Sequence, residues 1–177
     1  MFLKTRLVSL TTCAAALLLL NQVSASDSEF DPSRYYKIQT AGYTLFRHGN
    51  ITASKSAPQE FLEFTIRDSG SGYPDVYTIG YNSIRAAAPC SEGVVVSGFA
   101  YEPYAYTNKT TVKRISEGKY TIEQGYDGLI RCDDHDLYWS IEKGVSQDQL
   151  QGIPITLQRL DYSGDRFYQT FDITFAD

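Results

Sequence analysis

The scarcest chemical material in the chain is its two histidines. His48 sits in Phe46-Arg47-His48-Gly49-Asn50, which reads as a solvated turn. His135 sits in Cys132-Asp133-Asp134-His135-Asp136. Three neighbouring carboxylates favour the imidazolium and keep it protonated near neutrality. That suits a general acid, and it suits a polar loop between strands. The Asp133-Asp134-x-Asp136 run matches no standard divalent-cation spacing. The sequence holds no G-x-S-x-G elbow, and no P-loop, dinucleotide fingerprint, H-E-x-x-H pair or EF-hand loop. A structural zinc site needs four sulfur or nitrogen ligands, so neither a metal nor another cofactor is expected.

Tyrosine is the abundant functional type. All 14 follow residue 25, and Tyr101, Tyr104 and Tyr106 fall within six residues beside Pro103. Rigid amphipathic rings of this kind give contact area at little entropic cost, so this segment reads as a recognition loop for a protein, a glycan or a base. Tyrosines are also ordinary on half-buried strands.

Residues 1–25 read as a cleavable secretory signal peptide. Lys4 and Arg6 precede an apolar run, uninterrupted over Ala14–Leu20, and Val23-Ser24-Ala25 supplies a small-residue exit. Neither that run nor any later segment has the length of a membrane span. The whole chain carries 16 Lys and Arg against 21 Asp and Glu, net −5. Losing Lys4 and Arg6 with the leader leaves 14 against 21, net −7. Such a charge makes nucleic acid an unfavoured partner. Cys13 leaves with the leader, so Cys90 and Cys132 remain as an expected disulfide. Closing that loop of about 40 residues stabilises by roughly 4 kcal/mol in the chain-entropy view. Asn50 and Asn108 head two N-glycosylation sequons.

Residues 26–33 are polar and read as a flexible lead. Residues 34–177 read as one β-rich extracellular domain. Alternation of period two puts Leu62, Phe64 and Ile66 on one face, and Leu137, Trp139 and Ile141 on another. Val112–Ile115 and Lys119–Gln124 flank Ser116-Glu117-Gly118, which is hairpin chemistry. Ile153–Leu160 reads as pairing with Phe167–Phe175 across Ser163-Gly164-Asp165, with Phe167, Phe171, Ile173 and Phe175 inward. Two short helical stretches are expected, Asn82–Ala88 before Pro89 and Ser146–Gln151. Tyr-Thr-Ile occurs at Tyr77 and again at Tyr120, without a convincing internal repeat. These patterns predict a mostly β fold, an antiparallel sandwich or barrel of about nine strands. The alternative is an α+β fold with one antiparallel sheet and a short helix.

Two stretches carry a family resemblance. Gln39-Thr40-Ala41-Gly42-Tyr43-Thr44-Leu45 is similar to the end of the helix in the small guanyl-specific ribonucleases secreted by fungi, and Ser71-Gly72-Tyr73-Pro74 is similar to their Tyr-Pro turn. The chain thereby resembles the ribonuclease-like effectors of plant-pathogenic fungi. The resemblance implies Glu92 as base, Arg114 as phosphate holder and His135 as acid. Asp75 stands where the family has a histidine, which implies a lapsed enzyme retained for binding.

The expected function is therefore a secreted, non-enzymatic, effector-like recognition protein for a host or environmental protein or glycan. The alternatives are a ribonuclease-type hydrolase using Glu92, Arg114 and His135, and a carrier of a small ligand.

Overall fold

The computed structural model describes residues 28–57, 62–99, 106–125, 136–145 and 152–176. In them the chain forms fifteen short strands and no helix, hence no helix long enough to cross a membrane. The strands are β1 (Tyr36–Thr40), β2 (Tyr43–His48), β3 (Asn50–Ser54), β4 (Thr65–Asp68), β5 (Val76–Tyr81), β6 (Ile84–Pro89), β7 (Ser97–Phe99), β8 (Tyr106–Thr107), β9 (Lys109–Ser116), β10 (Lys119–Gln124), β11 (Leu137–Glu142), β12 (Ile153–Pro154), β13 (Thr156–Gln158), β14 (Phe167–Tyr168) and β15 (Phe171–Phe175). All the pairings are antiparallel, and the mostly β expectation holds.

The same pairing occurs three times. Ile38 on β1 stands opposite Ile173 on β15, Ile79 on β5 opposite Ile66 on β4, and Ile122 on β10 opposite Val112 on β9. All six are at most 7% exposed. Followed from strand to strand, the order β1–β15–β10–β9–β5–β4 returns to β1. The last step is a single bridge, in which Tyr36 and Phe64 each donate a backbone N–H to the other's carbonyl at 2.7 and 2.9 Å.

Each unit also folds out a hairpin: β2–β3, β6–β7 and β11–β13. The inner segments of the hairpins meet in a closed cycle of backbone hydrogen bonds. Ile51 N–H donates to Val96 O at 2.8 Å, Val96 N–H to Ile155 O at 2.9 Å, and Ile155 N–H to Ile51 O at 2.9 Å. The three residues are at most 2% exposed. Buried amides must find partners, and the cycle satisfies three donors with three acceptors. Near the starts of β1, β5 and β10, Tyr36, Tyr77 and Tyr120 stand two residues before the three isoleucines. The Phe30 ring lies 5.4, 5.1 and 5.5 Å from theirs. A pseudo-threefold axis thus runs from the amide cycle to Phe30.

Several sequence expectations are corrected. Within the expected flexible lead Phe30 is only 3% exposed, whereas Asp31, Pro32 and Ser33 are exposed. Asn82–Ala88 is not a helix: Asn82 takes a left-handed turn, φ 51°, and β6 follows. Its alanines are good helix formers, but strand partners on both sides bury Ala86, Ala87 and Ala88 completely, and packing outweighs propensity. Ile153–Leu160 does not pair with the last strand. Instead β12 joins β3, β13 joins β11, and β15 lies between β1 and β10. Phe175 is 49% exposed and packs under the Arg34 guanidinium at 4.3 Å. Ser146–Gln151 lies outside the described residues.

Candidate ligand-binding groove

The most organised surface segment follows β13. Asp161 closes a turn through Arg166, and its carboxylate accepts from Ser163 Oγ at 2.7 Å, Arg166 N at 2.8 Å, Gly164 N at 3.2 Å and Phe167 N at 3.2 Å. The Ser163 hydroxyl and then these backbone amides hold its pKa down to about 2. Gly164 supplies the left-handed turn, φ 67°. Gln169, only 7% exposed, fixes the segment from beneath. Its Oε1 accepts from Asp161 N at 2.7 Å, and its Nε2 donates to Arg159 O and to Ser140 Oγ, each at 2.8 Å. Outside, Lys143 Nζ donates to Gly164 O and lies 4.6 Å from the Tyr168 ring centroid.

This framework holds up Tyr162, which is 93% exposed. Two hollows flank Arg159 and Leu160. One, of about 270 Å³, adds Asp136, Tyr138 and Tyr162. The other, of about 240 Å³, adds Glu92, Gln158 and Arg166 among its walls. Arg159 Nε lies 3.2 Å from Glu92 Oε2, an exposed pair that contributes under about 1 kcal/mol. Burial, followed by the charges of Glu123 and Asp136, pushes the Tyr138 hydroxyl up to about 12, so it stays a donor at neutral pH. The groove thus offers two phenols, carboxylates, two guanidinium groups and an amide. Among the described residues no group of three His, Cys, Asp or Glu can hold a metal ion.

Glu92 is part of this groove. Arg114 is elsewhere: its Nη1 lies 3.3 Å from Glu29 Oε1, which also accepts from the Tyr120 hydroxyl at 2.9 Å. Among the described residues Glu92 and Arg114 have different ion-pair partners, and Arg114 is not in the hollows that flank Arg159. His135, Tyr101, Tyr104 and Cys132 lie outside the described residues, and Tyr106 opens β8. Cys90 follows β6 and packs on the core. Asn50 is exposed and accepts from Ser97 Oγ at 2.8 Å, whereas Asn108 is 5% exposed. Sequence reasoning missed Tyr138, Arg159, Tyr162 and Gln169. The Ser163-Gly164-Asp165 turn was the only signal near them.

No protein-family model matches the chain, and no curated protein matches its sequence. Solved structures do match its fold. The designed 3-fold symmetric protein ThreeFoil is 13% identical with a TM-score of 0.55, over 79% of this chain and 97% of that one. SeviL bound to asialo-GM1 saccharide is 14% identical with a TM-score of 0.51, over 81% of this chain and 97% of that one. These likenesses overturn the ribonuclease resemblance. Gln39–Leu45 is no helix end but the β1–β2 hairpin, turned by Ala41 at φ 48° and Gly42 at φ 82°. Asp75 sits in a left-handed turn, φ 64°, where its backbone carbonyl accepts from Val112 N. With three equivalent units about one axis, the chain has a β-trefoil-like fold.

Proposed function

We propose that this is a secreted, non-enzymatic protein that binds a glycan in the groove between Tyr138 and Tyr162. The observation that carries the reading is a nearly fully exposed tyrosine on a turn fixed by Asp161 and Gln169, beside acids and a guanidinium. A sugar ring has an apolar C–H face and a rim of hydroxyls. Tyr162 offers a surface for the face, while Asp136, Glu92, Arg159 and the Tyr138 hydroxyl offer charge-assisted and neutral hydrogen bonds to the rim. A structural neighbour bound to a saccharide supports the same ligand class. The carrier alternative is disfavoured, because Ile38, Ile66, Ile79, Val112, Ile122 and Phe171, all completely buried, fill the interior of the six-stranded, barrel-like ring.

The test is a glycan array probed with the protein lacking residues 1–25, followed by titration of the hits. Tyr162→Ala is expected to weaken binding about tenfold, a loss of ~1.4 kcal/mol. Retention of full affinity in Tyr162→Ala and Tyr138→Ala would remove the groove from the reading. The effector-like role outside the producing cell rests on export. Mass spectrometry of exported material is expected to show a start at Ser26, a Cys90–Cys132 bond and, in a eukaryotic host, a glycan on exposed Asn50 rather than buried Asn108. An intact Met1 or two free thiols would refute those assignments.

A further inference from the structure

The threefold pairing creates three equivalent cross-strand triplets, each centred one residue after a core isoleucine. They are Thr111–Glu123–Tyr138, Asp172–Gln39–Thr44 and Thr65–Gly80–Arg85. In the first two, the central side chain bonds its cross-strand neighbour. Glu123 is hydrogen-bonded to Tyr138, and Gln39 Nε2 donates to Thr44 Oγ1 at 2.9 Å. In the third the centre is Gly80, where even a Cβ would come 2.4 Å from Ile84 O. The Ile84 carbonyl packs directly on the glycine, and a cleft of about 510 Å³ lies along this part of the surface.

The walls of the cleft carry Arg67 and Arg85, with Thr78, Ser69, Asn82 and Ser83 between them. Both arginines are exposed, and neither forms an ion pair among the described residues. The acid in the cleft wall, Asp68, already accepts from Gly70 N at 2.6 Å. Two arginines without an ion pair among the described residues thus line one hollow on a chain of net charge −5. Their planar forks match an oxyanion and bind it bidentately. The hydroxyl and amide groups between them match sugar hydroxyls.

We infer that the Gly80 cleft is an anion subsite that takes the oxyanion substituent, carboxylate or sulfate, of an acidic saccharide. The inference rests on the glycan-binding reading and adds the ligand's charge to it. The cleft and the Tyr138 groove stand at equivalent positions of the fold. One is cationic because Arg67 and Arg85 line it, and the other is aromatic because Tyr138 and Tyr162 line it.

The experiment is calorimetric titration of the leaderless protein with four probes: a hexuronate trisaccharide, its methyl ester, a sulfated trisaccharide and sodium sulfate. At least one of the two acidic sugars is expected to bind about tenfold more tightly than the neutral ester, with affinity falling as salt rises. Arg67→Gln and Arg85→Gln are each expected to weaken that sugar about fivefold or more and to leave the ester unchanged. Circular dichroism and the emission of Trp139 check that the variants fold. Tyr162→Ala is expected to keep the preference of acid over ester. Equal binding of acid and ester, or full acid binding in the double arginine variant, overturns the inference. So does inorganic sulfate binding as tightly as the sugars, since the site would then take a free anion. Glycan binding that responds only to Tyr162→Ala sinks the subsite and leaves the groove standing. Binding that responds only to the arginine variants does the reverse.

Discussion

Replacing Gln169 by leucine tests whether the Tyr162 turn is held from below. The substitution roughly preserves side-chain volume and removes three hydrogen bonds of 2.7, 2.8 and 2.8 Å. Ser140 Oγ keeps its own bond to Tyr138 O at 2.8 Å, so its loss is partial. Arg159 O and Asp161 N, both part-buried, lose the Gln169 amide. A net cost of about 0.5–1.5 kcal/mol per bond, with some recovery from burying leucine, gives about 2–3 kcal/mol in all. Urea unfolding followed through Trp139, the sole tryptophan and fully buried, reads the global effect. Amide exchange across residues 161–167 reads the local one, and it is expected to speed up more than global unfolding accounts for. Glycan affinity is expected to fall with it, because Tyr162 touches the ligand only while its turn is ordered. A stability loss below about 0.5 kcal/mol with unchanged exchange would refute the role given to Gln169.

Phe30→Ala removes a 3%-exposed ring from three tyrosines and is expected to destabilise by about 3–5 kcal/mol in the same urea assay; a loss under about 1 kcal/mol would mean that residues 28–33 are not part of the body. Asp161 is held down to about 2, so its contribution to stability is present above the ordinary carboxylate range near 4 and is lost as pH falls toward 2; Asp161→Asn is expected to flatten that acid limb. Burial, reinforced by Glu29 for Tyr120 and by Glu123 for Tyr138, raises both hydroxyls to about 12, so their contribution is full below pH ~10 and is lost as pH rises through 12. Phenolate absorbance is expected to show these two tyrosines titrating last, and loss of the late step in Tyr138→Phe checks the assignment.

Local order was legible where one face is buried. Leu137, Trp139 and Ile141 alternate because each is at most 1% exposed, and the β9–β10 hairpin follows from Gly118 at φ 68°. Pairing between distant strands was not legible, since alternation says which face is inward and not which neighbour lies alongside. For the same reason β13 and β15 were expected to pair with each other. The groove was hidden because its supports come from far along the chain: Gln169 is 10 residues from Arg159 and 29 from Ser140.

The repeated Tyr-Thr-Ile is the one trace of the threefold axis that the sequence shows. Tyr36-Lys37-Ile38 is its third copy, changed at the middle position. The change falls there for a physical reason. The flanking tyrosine and isoleucine point inward, where Phe30 and an opposing core residue admit little variation. The middle residue points outward, where the fold sets no such limit. One residue further along, past the isoleucine, the three units carry Gln39, Gly80 and Glu123, and at Gly80 the Ile84 carbonyl leaves no room for a Cβ. A core repeated three times therefore supports three different surfaces, of which the one lined by Arg67 and Arg85 is proposed for the charged ligand.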